Sequence, residues 1–492
     1  MADNNGFVIK VEKLRAHPNA DRLQLLEVFG SDVCVGLDVR PGDIGVYFPT
    51  NLQLSLEFCL QNTLLRKLPD GTKSTGYLEP DKRNITAIKL RGVKSDGLYV
   101  PISAFAYTGV DLSTLTPGTI ITNVNGHEIC AKYIPRTKNT QSNERVSKTR
   151  HTHRKVPVAP LFQEHADTEQ LVYHLDDFKP GDQIELTLKV HGTSQRTAYL
   201  PKLVGWKHRN PIFNFVLKKD PDKLGKIARK WYYQALETAT PIYDWGYVSG
   251  TRRTVLNDWE GGFYGSDLFR KQHADFFEGK LQKGEAVYYE VAGFTDTGMP
   301  IMGSCSNKGL NDKDFIREYG ETTCFSYGCE PTGKKKKYGM DADGQYSIEI
   351  DVPQSRIFVY RMTLTTADGY TVEYTPDFMR YRCAQMGVEC VPVFWKGYIP
   401  EKLDHVYDLD TGEDYIETAG QWVQDLVEDY YDGPDPIGKT HVREGVVVRI
   451  VNRPSFTAYK HKNWYFKALT GIISTAAADS DTNLSEDILS EL

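Results

Sequence analysis

The chain has 492 residues, and its 59 Lys and Arg against 65 Asp and Glu give a net charge of −6. This length exceeds what one compact core usually organises, so we expect two domains or one domain with large insertions. Hydrophobic residues make up 40% of the chain and charged residues 25%, values that exclude a mainly disordered protein. The sequence shows no run of about 18 apolar residues and no apolar N-terminal signal region, so we expect no membrane segment and a cytoplasmic or nuclear location.

The N-terminal part of the chain has the pattern of short β-strands. Apolar and polar residues alternate over residues 7–50 in the runs VIKVEKL, LQLLEVF and IGVYF, which are separated by turns such as RPGD. The run NITAIKLRGVKSDGLYVPISAF continues the pattern. Because a period of two is typical of half-buried strands, residues 1–135 are predicted to form a small antiparallel barrel or sheet.

Several segments have a biased charge. Residues 136–155 are polar and include RVSKTRHTHRK, with five Lys or Arg and two His, which predicts a basic linker. Residues 476–492 hold five Asp or Glu and no Lys or Arg, which predicts an acidic tail. Further basic blocks lie at residues 334–337 (KKKK) and between residues 202 and 230. Each block is either a solvated surface or a local phosphate contact, and the sequence leaves both interpretations open.

Strand-like and helix-like runs are mixed between residues 156 and 475, which predicts an α+β domain built on antiparallel sheets with flanking helices. Residues 217–238 have the pattern of one helix broken near Pro221, and residues 401–440 look like an insertion. The strand-like runs are QIELTLKV, EAVYYEVAGF, SRIFVYRMTL, EGVVVRIV and NWYFKAL.

The segment KVHGTSQR begins with Lys189, directly after the strand-like run QIELTL. A lysine at a strand end, followed by a glycine that lets a phosphate approach the backbone, suits a covalent nucleophile. Lysine attacks only as the neutral amine, so this hypothesis requires nearby cations or burial to lower the pKa of Lys189. Taken alone, a KxxG pattern also occurs by chance.

Charged residues inside otherwise apolar strands continue the pattern. Glu290 stands within YYEVAGF, where a carboxylate without a partner would cost several kcal/mol. Glu444 precedes the apolar run GVVVRI. In AYKHKNWYFK, Lys460 and Lys462 share one strand face by the period of two. Each of these residues is also consistent with a salt-bridged or solvated sheet edge.

Two further groups stand between these segments. Phe358 and Tyr360 share one face of the strand-like run SRIFVYRM, either as plain core or as a stacking surface. Arg252 and Arg253 follow another strand-like run in TRR. One common site explains the ordered occurrence of all these residues better than many unrelated accidents.

This ordered set resembles the nucleotidyltransferase motifs of the covalent ligase and capping-enzyme superfamily. The matching segments are KVHG for motif I, YYEVAG for motif III, IFVYR for motif IIIa, EGVVVR for motif IV and KHKNWYFK for motif V. The KxHG form of motif I and the KxKN form of motif V resemble RNA ligases more than DNA ligases. His191 stands where many relatives carry Asp. The resemblance extends from about residue 161 to residue 467.

The N-terminal region resembles a second known domain. HPNADRLQLLEV and KLRGVKSDGL are similar to the OB-fold tRNA-binding domain attached to some aminoacyl-tRNA synthetases. An OB-type β-barrel in front of a nucleotidyltransferase domain is the layout of the fifth family of ATP-dependent RNA ligases. The resemblance implies an OB domain at residues 1–135, an adenylyltransferase domain at residues 156–475, and RNA with a nick or broken ends as the partner.

The resemblance also implies a mechanism that uses ATP with Mg²⁺ or Mn²⁺. Lys189 attacks the α-phosphorus, the lysyl-AMP passes AMP to an RNA 5′-phosphate, and an RNA 3′-hydroxyl then displaces AMP. Lys460 and Lys462 neutralise the transferring phosphate and help to lower the pKa of Lys189. Glu444 holds the divalent ion, with Glu290 as a second candidate ligand.

The remaining implied roles concern the nucleotide and the RNA. Glu290 accepts hydrogen bonds from the ribose hydroxyls, and Tyr360 stacks on adenine, with Phe358 as the alternative. Arg252 or Arg253 contacts RNA or the AMP phosphate. The full set implied to bind the nucleotide is Lys189, His191, Gly192, Arg196, Glu290, Phe358, Tyr360, Glu444, Lys460 and Lys462.

Two other functions share these features. An RNA-binding protein with an inactive transferase domain is one alternative, which the retained Lys189, Glu290 and Glu444 argue against. A GTP-dependent capping enzyme is the other. Capping enzymes carry the OB domain after motif V, whereas 25 residues follow Lys467 here.

Overall fold

The computed structural model describes residues 5–50, 52–86, 88–133, 156–165, 168–252, 254–256, 259, 264, 266–310, 312–339, 346–407 and 414–470. The predicted basic linker, the predicted acidic tail and Arg253 lie outside these described residues. None of the helices within them is both long and apolar enough to cross a membrane.

The N-terminal region consists of short antiparallel strands around one helix. Strands β10, β1, β5 and β9 pair in that order, and β2, β3 and β4 form a second sheet. The side chains do alternate between two faces, because Val8, Val46 and Phe48 pack into one core while the intervening Phe7, Ile9 and Tyr47 pack into a second hydrophobic cluster. The pairings agree with the predicted antiparallel sheet, and closure into an OB barrel stays a prediction. The elements are β1 (Gly6–Lys10), β2 (Leu14–Ala16), β3 (Leu23–Val28), β4 (Ser31–Gly36), β5 (Ile44–Phe48), β6 (Leu52–Leu54), α1 (Leu56–Gln61), β7 (Ile88–Leu90), β8 (Val93–Ser95), β9 (Leu98–Pro101), β10 (Ile120–Ile121), β11 (Asn123–Val124), β12 (His127–Glu128) and β13 (Cys130–Lys132).

Two larger sheets organise the rest of the described chain. The five-stranded sheet has the order β14-β30-β29-β15-β26, and the six-stranded sheet has the order β18-β17-β16-β19-β24-β25. All neighbours in both sheets are antiparallel except β14 and β30. Their strands are β14 (Glu169–Gln170), β15 (Gln183–Leu188), β16 (Thr193–Lys207), β17 (Thr240–Gly250), β18 (Val255–Leu256), β19 (Glu285–Gly293), β24 (Ser355–Thr365), β25 (Thr371–Glu373), β26 (Val393–Tyr398), β29 (Gly445–Ile450) and β30 (Thr457–Lys462). The mixed architecture agrees with the predicted α+β class.

Helices and hairpins complete this part of the chain. The sequence predicted one broken helix at residues 217–238, and the structure has two helices, α2 and α3, that pack on each other. The elements are α2 (Pro211–Leu217), α3 (Lys226–Thr238), α4 (Leu268–Phe276), β20 (Cys305–Ser306), α5 (Lys313–Tyr319), β21 (Thr322–Thr323), β22 (Lys334–Gly339), β23 (Tyr346–Asp351), α6 (Pro376–Met386), β27 (His405–Tyr407), β28 (Asp414–Ile416), α7 (Ala419–Glu428) and α8 (Trp464–Leu469).

Helices pack on one face of each large sheet. Helices α4 and α6 bury Phe269 and Met379 against the six-stranded sheet. Helix α7 buries Val423 and Val427 against the five-stranded sheet, and a capping box between Thr418 and Gln421 fixes where α7 begins. Each fully buried aliphatic or aromatic side chain contributes about 1.5–3 kcal/mol. The packed outer faces therefore hold the two sheets rigid, which leaves their facing surfaces to form a site.

Side chains of the N-terminal region contact the remainder of the described chain. Tyr173 packs its ring against Phe7 and Phe29, with centroids 5.2 and 5.4 Å apart. Nζ of Lys467, on α8, lies 3.0 Å from Oδ2 of Asp96 in the loop before β9. Helix α8 follows β30 almost directly, so this ion pair ties the N-terminal region to the end of the five-stranded sheet.

Candidate functional site

A cavity lies between the two large sheets. Strands β15, β29 and β30 contribute one wall, and strands β16, β19 and β24 contribute the other. The residues that line it are His165, Thr168, Glu185, Thr187, Leu188, Lys189, Val190, Ser194, Arg252, Glu290, Tyr360, Met379, Val391, Val447, Arg449, Phe456 and Ala458. A cleft between sheets with a few converging polar groups is the usual setting of a small-molecule site.

Lys189 stands where the chain passes from one sheet to the other. Strand β15 ends at Leu188, and the backbone N–H of Lys189 continues the ladder to β29 by donating to the carbonyl oxygen of Gly445, 3.0 Å away. Three residues later, a Cβ on Gly192 would lie 2.4 Å from the carbonyl oxygen of Val291. Glycine is therefore required at position 192 for the close approach of the chain to β19. The sequence predicted that this glycine lets a phosphate approach, and in the structure it allows the close approach of β19.

A cluster of ionic groups surrounds Lys189. Its Nζ lies 3.0 Å from Oε1 of Glu444, and Nζ of Lys462 lies 3.1 Å from the same oxygen. The register explains the meeting, because Gly445 pairs with Lys462 across β29 and β30 and Glu444 directly precedes Gly445. Nδ1 of His191 lies 3.6 Å from Oε2 of Glu444, beyond hydrogen-bond distance. That oxygen is buried and has no hydrogen-bond partner among the described residues.

The charges of this cluster correct one expectation. Burial lowers the pKa of Lys189, but the carboxylates of Glu444 and Glu290 outweigh it and raise the pKa above its ordinary value. The predicted lowering of the Lys189 pKa by nearby cations is therefore wrong for the protein without nucleotide. Burial does lower the pKa of Lys462. Burial would raise the pKa of Glu444, yet Lys189 and Lys462 hold it well below its ordinary value.

Glu290 faces this cluster from the six-stranded sheet. It pairs with Ser194 on β16 and with Phe358 on β24, which puts its side chain on the cavity wall. Burial raises the pKa of Glu290 to about 7, with Glu444 adding to the effect and Lys189 opposing it. The site therefore holds two carboxylates of different character, one firmly ionised and one that titrates near neutral pH.

The two predicted aromatic residues have different surroundings. Phe358 is buried in a hydrophobic cluster and is not among the residues that line the cavity, whereas Tyr360 lines it. A β-bulge separates them, since Tyr288 and Tyr289 on β19 pair with Arg361 and Val359 and leave Tyr360 as the extra residue of β24. The hydroxyl groups of Tyr360 and Ser194 are 3.1 Å apart.

Some of the remaining predicted residues line the cavity, and others hold the backbone next to it. Arg252 lines the cavity. Lys460 lies at its edge, where its Nζ donates to the carbonyl oxygen of Thr168 over 2.6 Å. Arg196 does not line the cavity. It is 1% exposed, donates to the backbone oxygens of Thr251 and Phe162, and stacks over the Phe162 ring. In this structure Arg196 fixes the backbone that precedes Arg252.

Two residues that motif reasoning missed belong to the same region. Arg270, on α4, donates to the carbonyl oxygen of Ser194 and to the hydroxyl of Thr193, so it holds the start of β16. His165 lines the cavity, accepts a hydrogen bond from Arg361 and lies against the ring of Tyr360 with centroids 5.3 Å apart. Burial, together with nearby arginines, lowers the pKa of His165 to about 3, so it is a neutral ring. Nothing in the sequence around either residue distinguishes it from ordinary core.

The chain matches no protein-family model and no curated protein. Among solved structures, it is similar to the Naegleria gruberi RNA ligase with PPi, with a TM-score of 0.50 and 12% identity over 94% of this chain and 97% of that chain. A mutant of the Naegleria ligase with ATP and Mn has a TM-score of 0.49 and 13% identity over 94% and 97% of the two chains. Another mutant, with AMP and Mn, has a TM-score of 0.48 and 12% identity over 93% and 96%. At this identity the first match shows a shared fold along nearly the whole chain.

Proposed function

We propose that this chain is an ATP-dependent RNA ligase that joins RNA 3′-hydroxyl and 5′-phosphate ends through a lysyl-AMP intermediate. One observation carries the proposal. Lys189 and Lys462 share the buried carboxylate of Glu444 at a cavity whose other wall holds Glu290 and Tyr360. The set supplies a nucleophile, a cation for phosphate charge, a carboxylate for ribose hydroxyls and a ring for a base. The fold shared with an RNA ligase supports the same function.

The first step forms a bond between Nζ of Lys189 and the α-phosphorus of ATP and breaks the bond to pyrophosphate. Only the neutral amine attacks, so Lys189 has to give up the proton that Glu444 and Glu290 stabilise. Lys462, already beside Glu444, carries positive charge towards the phosphate. Lys460 would add a second cation once its bond to Thr168 is exchanged for phosphate.

Divalent cations fit the same residues. The buried Oε2 of Glu444 accepts no hydrogen bond from the described residues, and an isolated buried acceptor is costly unless a ligand uses it. Glu444 would hold Mg²⁺ or Mn²⁺, directly or through water, with Glu290 as the second carboxylate. A bound divalent ion would neutralise phosphate charge and weaken the attraction of Glu444 for the Lys189 ammonium.

The next two steps use the adenylate. An oxygen of the RNA 5′-phosphate attacks the AMP phosphorus and Lys189 leaves, which regenerates its amine. The 3′-hydroxyl of the second RNA end then attacks the 5′-phosphorus, and AMP departs as the phosphodiester forms. Glu290 would accept hydrogen bonds from the ribose hydroxyls through both steps, and Tyr360 would stack on adenine.

The test replaces Lys189 with arginine. The guanidinium keeps the positive charge beside Glu444 but is never deprotonated, so it cannot attack phosphorus. We expect wild type to become labelled by α-³²P-ATP with Mn²⁺ on a denaturing gel, and Lys189→Arg to show no label. Lys313→Ala, which removes an exposed lysine on α5, is the matched control and should label like wild type.

Each alternative function has its own signature in this assay. Labelling by GTP in preference to ATP would support a capping-type transferase. Unlabelled wild type that still binds RNA would support a binding protein with an inactive transferase domain. A protein–AMP adduct on Lys189→Arg would remove Lys189 from the mechanism.

A further inference from the structure

A helical arm extends from the six-stranded sheet. Residues 201–240, here called the arm, comprise the outer half of β16, helices α2 and α3 and the first residue of β17. The two strands stay paired to the end, with Trp206 opposite Pro241 and Lys207 opposite Thr240. The arm has its own small core, formed by Leu217, Tyr232, Ala235, Leu236 and Ala239. Its surface is therefore free for a role other than supporting the sheet.

The arm is strongly basic. It carries nine Lys and Arg against three Asp and Glu, whereas the whole chain has a net charge of −6. Eight of the nine basic side chains are exposed, namely Lys207, Arg209, Lys218, Lys219, Lys223, Lys226, Arg229 and Lys230. Concentrated positive charge on an acidic protein creates a local attraction for a polyanion.

Large apolar side chains are exposed among these cations. Phe215 on α2 is 66% exposed, and Ile227 and Trp231, one turn apart on α3, are 74% and 51% exposed. Nζ of Lys219 lies 4.8 Å from the centre of the Phe215 ring. Exposed aromatic rings beside lysines are the combination by which proteins hold nucleic-acid strands, through stacking and phosphate contacts.

The arm is continuous with the candidate site. Strand β16 begins at Thr193, one residue after Gly192, and Ser194 on the same strand lines the cavity. From Thr193 to Lys207 an extended strand advances by at most about 46 Å, at about 3.3 Å per residue. That distance corresponds to roughly 14 stacked base pairs at 3.4 Å each. A polynucleotide with one end in the cavity is long enough to reach the arm.

We propose that the arm binds the RNA strand whose end lies in the cavity, up to about 14 base pairs from that end. The inference rests on the proposed function only in taking RNA as the ligand. Lys218 and Lys219, directly after α2, and Lys226 and Lys230 of α3 contact backbone phosphates. Phe215 and Trp231 stack on bases or sugars. A membrane surface fits less well, because charged residues interrupt the exposed apolar side chains and the arm continues from the reactive strand.

The experiment neutralises the arm and compares it with an equal change elsewhere. The variant Lys218→Gln, Lys219→Gln, Lys226→Gln, Lys230→Gln loses four exposed charges. The matched control changes the four exposed lysines of β22, Lys334 to Lys337, to Gln. Exposed substitutions of this kind change stability little, which thermal melting of both proteins checks. Binding of a fluorescent nicked RNA duplex is measured by anisotropy without ATP, from about 50 to 200 mM KCl, the range in which phosphate contacts show.

The expected result is a loss of affinity in the arm variant that is largest at low salt and shrinks by roughly 100-fold between about 50 and 200 mM KCl. The salt dependence of the variant is then shallower by about 3–4 log units per log unit of salt, near 0.9 for each phosphate contact removed. The control should bind like wild type. The difference should vanish with duplexes of about 8 base pairs on each side of the nick, which end before the arm, and return with about 24.

The remaining outcomes each overturn the inference. Equal losses in the arm variant and the control would mean that overall charge alone matters. Unchanged RNA binding by the arm variant, with loss of binding to vesicles rich in phosphatidylserine, would assign the arm to a membrane surface. AMP labelling of Lys189 is measured on the same proteins, so failure of the arm proposal and failure of the ligase proposal are told apart.

Discussion

Glu290 illustrates how burial and charge compete at a single residue. Its pKa is raised from 4.5 to about 7, so the folded protein keeps a proton that the unfolded chain has lost over this range. The folded state binds more protons, and its stability therefore falls as pH rises from about 4.5 to about 7. We expect the free energy of unfolding of wild type, measured against Glu290→Gln, to drop by up to about 3 kcal/mol across this window.

Urea unfolding at intervals of half a pH unit measures this difference. The Gln variant does not titrate at position 290, so it removes the contribution of this group and leaves the other carboxylates unchanged. Parallel stability curves for the two proteins between pH 4.5 and 7 would mean that Glu290 is ionised throughout, with Lys189 as its dominant neighbour.

The residues of the site were predictable from sequence to different degrees. Lys189 was found as a lysine at a strand end followed by a glycine, and Glu290, Glu444 and Lys462 as charged residues in otherwise apolar strands. The structure brings Lys189, Glu444 and Lys462 into contact and places Glu290 on the same cavity as Lys189. The direction of the Lys189 pKa was not predictable, because it depends on whether carboxylates or cations come closer. Arg270 acts through backbone oxygens from a helix, and such contacts leave no pattern in a single sequence.

At the level of elements, strand β24 places Tyr360 at the cavity, beside a β-bulge. If Tyr360 stacks on adenine, Tyr360→Ala loses about 1–3 kcal/mol of binding, which raises the KM for ATP in the labelling reaction roughly 5- to 150-fold. Tyr360→Phe keeps the ring and loses only the contact with Ser194, so its KM should stay close to that of wild type. Initial rates of AMP labelling over a range of ATP concentrations provide the measurement.

An unchanged KM in Tyr360→Ala would transfer the stacking role to another ring. His165 is the neighbouring candidate, since its neutral ring contacts Tyr360. The alternation rule treats Phe358 and Tyr360 alike and gives no sign of the bulge, because a bulge arises from pairing with a distant strand. The predicted broken helix at residues 217–238 begins where α2 ends, so the sequence found α3 and missed α2.

At the level of the whole molecule, the N-terminal region and the region of the two large sheets are expected to have separable tasks. A protein that starts at Val156 retains the cavity, Lys189 and both large sheets. We expect it to form the AMP adduct at a rate close to that of the full chain and to join RNA ends much more slowly. The loss of joining should be largest at low salt and become smaller as salt rises, because a protein with fewer phosphate contacts has a shallower salt dependence of RNA binding.

Labelling and joining of both proteins, from about 50 to 200 mM KCl, measure the two tasks side by side. Equal joining at every salt concentration would show that residues 1–135 do not hold RNA. Loss of labelling together with joining would show instead that these residues support the transferase fold, through Tyr173 and the ion pair between Asp96 and Lys467. Removal of residues 1–155 exposes the ring of Tyr173, which packs on Phe7 and Phe29 in the full chain. The truncated protein with Tyr173→Ser, which replaces this ring with a small polar side chain, is therefore the control for aggregation.

The carboxylate that Lys189 shares with Lys462 also has a consequence for the chemical lifetime of the protein. Acylating and carbamoylating compounds modify neutral amines and leave ammonium groups intact. Because Glu444 and Glu290 raise the pKa of Lys189, we expect the side chain to react more slowly with such compounds than an ordinary lysine of the same 23% exposure. If Lys189 is the nucleophile, as proposed above, it would stay inert until a substrate whose charge competes for the same carboxylates is bound.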